Sequence, residues 1–249
     1  MLRSLGRQVL IAASAVFTVS TALFAQTPPA PTGPWTTQAA SAGLALTQGN
    51  KDTSSVNLGY EMVYDPKRNN IVKSDGLLLY GKTDGEKTAD RLGLNVRDER
   101  LLSGRSYAYV QTQYLRDEFK NIEYLVAPTA GVGYRLVDTP ATKFSVDAGL
   151  GGVWEKAPDA SVKKSGAITF GDKLSRKIST TTAISQNFTA LYKTADISDA
   201  LYSFGVALTT SMSAHSQLKV EVLDVYKNLA PVPFKKNDLA LIVGLVFKR

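Results

Sequence analysis

The sequence predicts an all-β fold: a single antiparallel β-barrel of about twelve strands, closed in up-and-down order, with ten strands the nearest alternative count. Three observations point there. From Trp35 onward the chain alternates between apolar and polar or small residues in segments of roughly ten, each stopped by Gly, Asn, Asp, Pro or Lys. Helical spacing is hard to find in that stretch. The apolar positions form bands of five or six alternate residues with aromatic rings gathered at their ends.

The first element is not barrel. Within residues 1–25, Arg3 and Arg7 precede a mostly apolar run from Val9 to Val19 and a small-residue close, "STALFA", the order of a secretory signal peptide. Cleavage after Ala25 and after Ala22 both stay open. The apolar run is shorter than the roughly 18 residues a membrane-spanning helix wants. Residues 26–34 hold a proline-rich linker, "TPPAPTGP", which cannot pair as strand. The barrel is expected over 35–249.

Composition narrows the chemistry. The chain of 249 residues has no cysteine, which excludes disulfides, thiolate metal sites and a lipidated N-terminal cysteine. Removing Arg3 and Arg7 from the 29 basic residues leaves 27 against 22 acidic, a net charge of +5, too small and dispersed to indicate nucleic acid.

Twelve segments then follow in order. They are "SAGLALTQ", "SSVNLGYEMVY", "VKSDGLLLYGK", "ADRLGLNVRDER", "SYAYVQTQYLRD", "YLVAPTAGVGYRL", "KFSVDAGLGGVWE", "AITFGDKLSRK", "TTAISQNFTALYK", "ALYSFGVALTTSM", "SQLKVEVLDVYK" and "DLALIVGLVFK". Alternation is weakest between Leu174 and Ile184, where Thr180, Thr181 and Thr182 still favour strand.

Parity decides which face meets what. One set reads Val56, Leu58, Tyr60, Met62, Tyr64; Val126, Pro128, Ala130, Val132, Tyr134, Leu136; Phe144, Val146, Ala148, Leu150, Gly152, Trp154; and Leu239, Leu241, Val243, Leu245, Phe247. At about 3.3 Å per residue and a tilt near 40°, five alternate positions cover roughly 20 to 25 Å, the height of a membrane barrel's apolar belt. The opposite set mixes small residues with charges of both signs. A soluble barrel would place its apolar face inward; here the apolar bands fit a transmembrane barrel with the small, charged face lining the lumen. The charged lumen candidates are Glu61, Lys73, Asp75, Arg91, Arg97, Glu99, Arg135, Asp147, Glu155, Lys173, Lys219 and Glu221. Six acids against six bases fit internal ion pairs better than a selective pore, which shows an excess of one sign. Arg91, Arg97 and Glu99 are expected to pair on adjacent strands, with groups such as Asp75 and Glu61.

Tyr64, Tyr80, Tyr134, Trp154, Tyr192, Tyr202, Tyr226 and Phe247 lie near strand ends, where rings sit at a membrane–water boundary; Tyr107 is grouped with them. With both termini in the periplasm, the even connections are tight and the odd ones, such as "KTDGEKTAD" and "KTADISD", are expected to be longer outer loops.

Beyond these patterns, "GLALTQGNKDTSSVNLGYEMVY", "LLLYGKTDGEKTADRLGLNVRDERLL", "YLRDEF" and "GVGYRLVDTPATKFSVDAGLG" resemble the YdiY-like salt-stress-induced outer-membrane proteins, family 481 of the domains of unknown function. The resemblance runs from about Gly43 to Arg249. It implies a barrel in the outer membrane of a Gram-negative bacterium and a role in envelope integrity or the response to salt and osmotic stress. It carries over no catalytic residue. It also implies outer-membrane lipids, lipopolysaccharide and the barrel-insertion machinery as partners of a monomer; the chain departs from the pattern by ending "LVFKR" rather than on an aromatic residue.

Candidate chemistry is sparse. His215, the single histidine, lies in "SAHSQ" near Ser213 and Ser216, with Asp224 further along. A base in a four-residue turn has neither pocket nor oxyanion donors. Asp84, Glu86 and Asp90, or Asp117, Glu118 and Glu123, could gather a hard cation, but no ligand spacing demands one. No catalytic residue, metal or cofactor is expected. Three alternatives stay open: a small weakly selective channel, an outer-membrane hydrolase, and a soluble secreted binding barrel.

Overall fold

A computed structural model describes residues 34–47, 53–230 and 234–248; the expected signal peptide and nearly all of the linker lie outside the described residues. Twelve strands form among the described residues: β1 (Trp35–Thr47), β2 (Thr53–Tyr64), β3 (Asn70–Thr83), β4 (Glu86–Leu101), β5 (Ser106–Asp117), β6 (Ile122–Asp138), β7 (Thr142–Lys156), β8 (Lys163–Lys177), β9 (Thr182–Lys193), β10 (Asp196–Ser211), β11 (Ser216–Lys227) and β12 (Asn237–Lys248). Each pairs antiparallel with its sequence neighbours and β1 pairs with β12, so the sheet closes as an up-and-down barrel. The β1–β12 ladder is short, running from Ala39 opposite Lys248 to Ala42 opposite Leu245, whereas β11 pairs with β12 from Ser216 to Tyr226.

The connections define two ends. The start of β1, the end of β12 and five tight turns share one, the terminus end. Four of those turns use one device: a hydroxyl at the first position accepts the backbone N–H three residues on, at 3.0 Å for Ser103 with Ser106, 2.9 Å for Thr139 with Thr142, 3.0 Å for Ser179 with Thr182 and 3.1 Å for Ser213 with Ser216. Thr180 and Thr181 therefore sit in a turn, and Thr182 opens β9.

At the loop end the expected long connections are corrected. β3 and β4 meet at Asp84 and Gly85, whose φ values of 52° and 83° suit the two central positions of a tight hairpin turn. β9 and β10 are joined by Thr194 and Ala195 alone. Residues read as loop extend the ladders instead, so the strands project past the apolar belt.

Outward, Leu58, Val132, Leu150, Phe170, Leu239 and Leu241 stand exposed, with Leu239 and Leu241 at 71% and 69%. Exposed apolar surface of this extent is uncommon on soluble monomers. Inward, the face is not uniformly small and polar. In the loop half, Leu115, Ile122, Leu125, Ala127, Val153, Ala167 and Leu191 pack together, and Leu223, Val225 and Ile242 pack with Leu77, Leu79 and Ala240. Leu201 touches both groups, which makes an apolar layer across the lumen. The core of the protein is inside the barrel, in its loop half.

Candidate functional site: the barrel lumen

Because successive side chains alternate across a strand and paired residues share a face, the ladders assign every inward position. Ala39, Glu61, Asp75, Asn95, Gln113 and Ala127 form one inner row; Lys73, Arg97, Gln111, Thr129, Gly151, Ala167 and Lys193 form another. Arg91 faces Asp117; Arg135, Ser145 and Lys173 align; Asp147 lies opposite Gly133; Glu155 opposite Leu125; Lys219 and Glu221 lie on the inner face of β11. All twelve charged residues singled out from sequence thus lie on the inner face.

Below the apolar layer, toward the terminus end, Arg97 is the organising side chain. Its Nε donates to Glu99 Oε1 at 2.9 Å, one terminal nitrogen to Gln111 Oε1 at 3.0 Å, and the other to Asp147 Oδ2 at 2.9 Å. Lys73 Nζ donates to the second Glu99 oxygen at 2.7 Å. The guanidinium also lies 3.6 Å from the ring centroid of Tyr109 and 5.6 Å from that of Tyr107. Both tyrosines turn inward and are 3% exposed, which corrects the placement of Tyr107 at a membrane boundary. Room for them comes from β6: a Cβ on Gly133 would overlap the Tyr107 ring, and one on Gly131 would overlap Tyr109 and the backbone of β7.

The expected pairing with Asp75 and Glu61 is corrected as well. Arg97 is held by an acid on its own strand and by Asp147, three strands away. Asp75 accepts from Asn95 Nδ2 at 3.0 Å, and Glu61 makes no ion pair among the described residues. Glu61, Asp75 and Lys173 are exposed although they face inward, so water reaches the lumen here.

Above the apolar layer a second charge network crosses the lumen. Glu155 of β7 holds Lys227 of β11 through one oxygen and Lys193 of β9 through the other, each at 2.7 Å. Lys193 also sits 2.5 Å from Asp199. From the one-turn 3-10 helix Glu118–Lys120, between β5 and β6, Lys120 reaches across the mouth. Its Nζ donates to the carbonyls of Lys235 and Lys236 at 3.0 and 2.8 Å and lies 2.8 Å from Asp238 Oδ2. Fully buried, it latches one side of the mouth to the other. Of this lid only Glu155 was singled out from sequence. Lys120 and Asp199 lie in stretches read as loop, and Lys193, Lys227 and Asp238 stand at the ends of the strand segments, beyond the apolar bands.

Of the remaining candidates, Asp117 is buried on the inner face and the others are surface chemistry. Asp90 is held by Lys87 and Arg116, Glu118 by Lys87, Asp117 lies 4.0 Å from Arg91, and Glu123 pairs with Lys156 at 2.6 Å. No group of three or more metal-ligating side chains forms among the described residues. Ser213 and Ser216 are spent on their turn, where Ser213 Oγ also accepts from His215 N at 3.3 Å. Asp224 points outward between Phe204 and Leu239. In the turn after β2, Lys67 Nζ donates to Asp65 Oδ2 at 2.6 Å and holds that carboxyl below its ordinary range.

The rings at the strand ends form two groups. At the terminus end Trp35 meets Tyr64 edge-on at 4.9 Å, and Tyr134 and Phe247 are exposed. At the loop end Phe170, Tyr192, Tyr202 and Tyr226 form a chain of contacts at 6.2, 5.7 and 5.9 Å, with Tyr80 and Trp154 exposed on other strands.

Comparison with known proteins agrees with this architecture. Among solved structures, the NanC porin is similar with a TM-score of 0.53 at 11% identity, over 86% of this chain and 100% of that one. An outer-membrane channel from Pseudomonas putida F1 aligns at 0.49 and 13% identity, covering 93% of this chain and all of its own. The KdgM porin aligns at 0.43 and 8% identity, covering 85% and 97%. At 11% identity the likeness to the NanC porin is one of fold. A search of curated proteins finds no match. The family model described as "Protein of unknown function, DUF481" matches residues 40–248, and the chain belongs to that family.

Proposed function

We propose that this protein is an integral outer-membrane barrel, termini in the periplasm, whose lumen is sealed at the loop end and open to water from the terminus end. The membrane reading is supported by the exposed aliphatic belt between two groups of rings, which a soluble binding barrel would not present to water. The observation that carries the sealed reading is the stack of buried side chains across the loop half: Lys120 at 0% exposure above Ile122, Val153 and Val225 at 1%. Water and ions entering past Glu61 and Asp75 meet a packed apolar layer, then a lid of paired charges.

Such a barrel contributes to the envelope as a wall element rather than a conduit, which agrees with a role in integrity under salt or osmotic stress. Residues 1–25 are its removable export signal. Planar-bilayer recording tests the sealed reading. Folded wild-type protein gives no ion-dependent steps, while a variant with Ile122→Ala, Leu125→Ala and Val153→Ala gives them. Steps from the wild type would replace this reading with that of a small weakly selective channel. Comparing growth of a deletion strain with and without added salt tests the stress role. Replacing His215 leaves either phenotype unchanged, whereas a hydrolase using that base would lose it.

A further inference from the structure

We propose that the terminus rim of the barrel is a binding surface for anionic phospholipid headgroups. The inference rests on the membrane-spanning reading above and adds a ligand class to it.

Charge is distributed unequally between the two ends. At the loop end bases and acids balance: Lys87 and Arg116 share Asp90, Lys156 holds Glu123, Lys193 holds Asp199 and Lys120 holds Asp238, while the exposed Lys82, Lys163, Lys164, Lys235 and Lys236, in no ion pair among the described residues, stand among the acids Glu86, Asp159 and Asp196. At the terminus end Asp65 is taken by Lys67, and Asp138 by Lys143 and Arg135. That leaves Arg68, Arg100, Arg105, Arg176 and Lys177, all exposed and none in an ion pair among the described residues. The net positive charge of the barrel is concentrated there.

Position makes these bases more than a solvated rim. Arg100 and Arg176 have the outward parity of their strands, one step beyond Val96 and Asp98 on β4 and beyond Phe170, Asp172 and Leu174 on β8. That is where the apolar belt ends and headgroups begin. The turns beside them carry apolar tips: Leu102 is 61% exposed, Ile178 60% and Met212 54%. Tips of this kind, next to bases with no acid to satisfy them, suit a surface that offers acyl carbon and phosphate side by side. A soluble acidic partner would leave the apolar tips in water.

The chain carries its own probes, because its two tryptophans stand at opposite ends. Trp35 packs on Tyr64 beside the Asp65 turn that holds Arg68, and Trp154 lies near the loop end of β7. The protein is reconstituted in phosphatidylcholine vesicles holding a minor fraction of brominated phosphatidylglycerol or, at the same mole fraction, brominated phosphatidylcholine. Trp154→Phe isolates Trp35, and Trp35→Phe isolates Trp154.

Brominated phosphatidylglycerol is expected to quench Trp35 with an apparent association about fivefold stronger for each contacting base than the zwitterionic lipid. Trp154, which has Lys164 opposite it, serves as the reference: its quenching does not change when the five bases at the terminus rim are replaced. Changing the five bases to Gln abolishes the preference, changing them to Lys retains it, and high salt removes it in the wild type. If the Gln protein does not fold, the Lys variant and the salt titration still decide. Equal quenching of Trp35 by the two lipids, or a preference that survives in the folded Gln variant, overturns the proposal. Failure of any brominated lipid to quench either tryptophan would instead overturn the membrane-spanning reading.

Discussion

The two halves of the lumen are built from the same alternating strands and end up opposite in character. In the loop half the inward residues are Leu, Ile, Val and Ala, capped by a charge network that spans the mouth. In the terminus half they are Arg97, Glu99, Asp147, two tyrosines and glycines on one side, with exposed Glu61 and Asp75 on the other. Strand alternation sets which side chains point inward but not what fills the space. One half is filled by packing and the other by polar contacts around a water-accessible gap.

Breaking the lid should show the largest difference. Glu155→Ala strands the buried ammonium of Lys227 and leaves Lys193 with Asp199 alone, and is expected to cost about 3–5 kcal/mol in urea refolding into lipid. Leu125→Ala tests the apolar layer, at about 2–4 kcal/mol by the same measurement. If the loop half were loosely packed and wet, both losses would shrink together.

The terminus half responds to shape instead. Gly131→Ala drives a methyl into the β7 backbone and the Tyr109 ring, an expected loss of about 1–3 kcal/mol, and should weaken fluorescence signatures of the inward tyrosines. Smaller still is Ser213→Ala, which removes one turn's hydrogen bonds for about 0.5–1.5 kcal/mol in refolding.

A pH titration gives the smallest effect. The Asp65 carboxyl is held below its ordinary value near 3.8 by Lys67, so its contribution is present above that pH and fades as pH falls through the lowered value. Solvent screening keeps it small at so exposed a site. Asp65→Asn should flatten the acid limb of a stability curve only below about pH 4.

Much of this was legible from residues alone. The bands Val56 to Tyr64 and Leu239 to Phe247 alternate cleanly, and they lie on the outer face. Runs such as "EYLVA" and "LALIVGLV" also carry apolar residues on the opposite parity, a signal of burial on both faces that foretells the apolar layer. The turns share a pattern too: "LSGRS", "ISTTT" and "MSAHS" each place a hydroxyl residue three positions before another. Tyr107 could not be placed, because a ring at a strand end suits a membrane boundary and a lumen equally until Gly133 is known to face it.

By itself, then, the sequence determined the strands, the lipid-facing side, the inward set of charges and the excess of bases, all local properties of period-two alternation and composition. Only the tertiary structure decided which charges meet. Lys120 reaches Asp238, and Glu155 holds both Lys193 and Lys227, because closure of the sheet folds strands remote in sequence across a narrow interior. There an unpaired charge is costly, so Lys120, Lys193 and Lys227 reach acids beyond their neighbouring strands, while Lys73 takes Glu99, and Lys193 also Asp199, from the strand alongside.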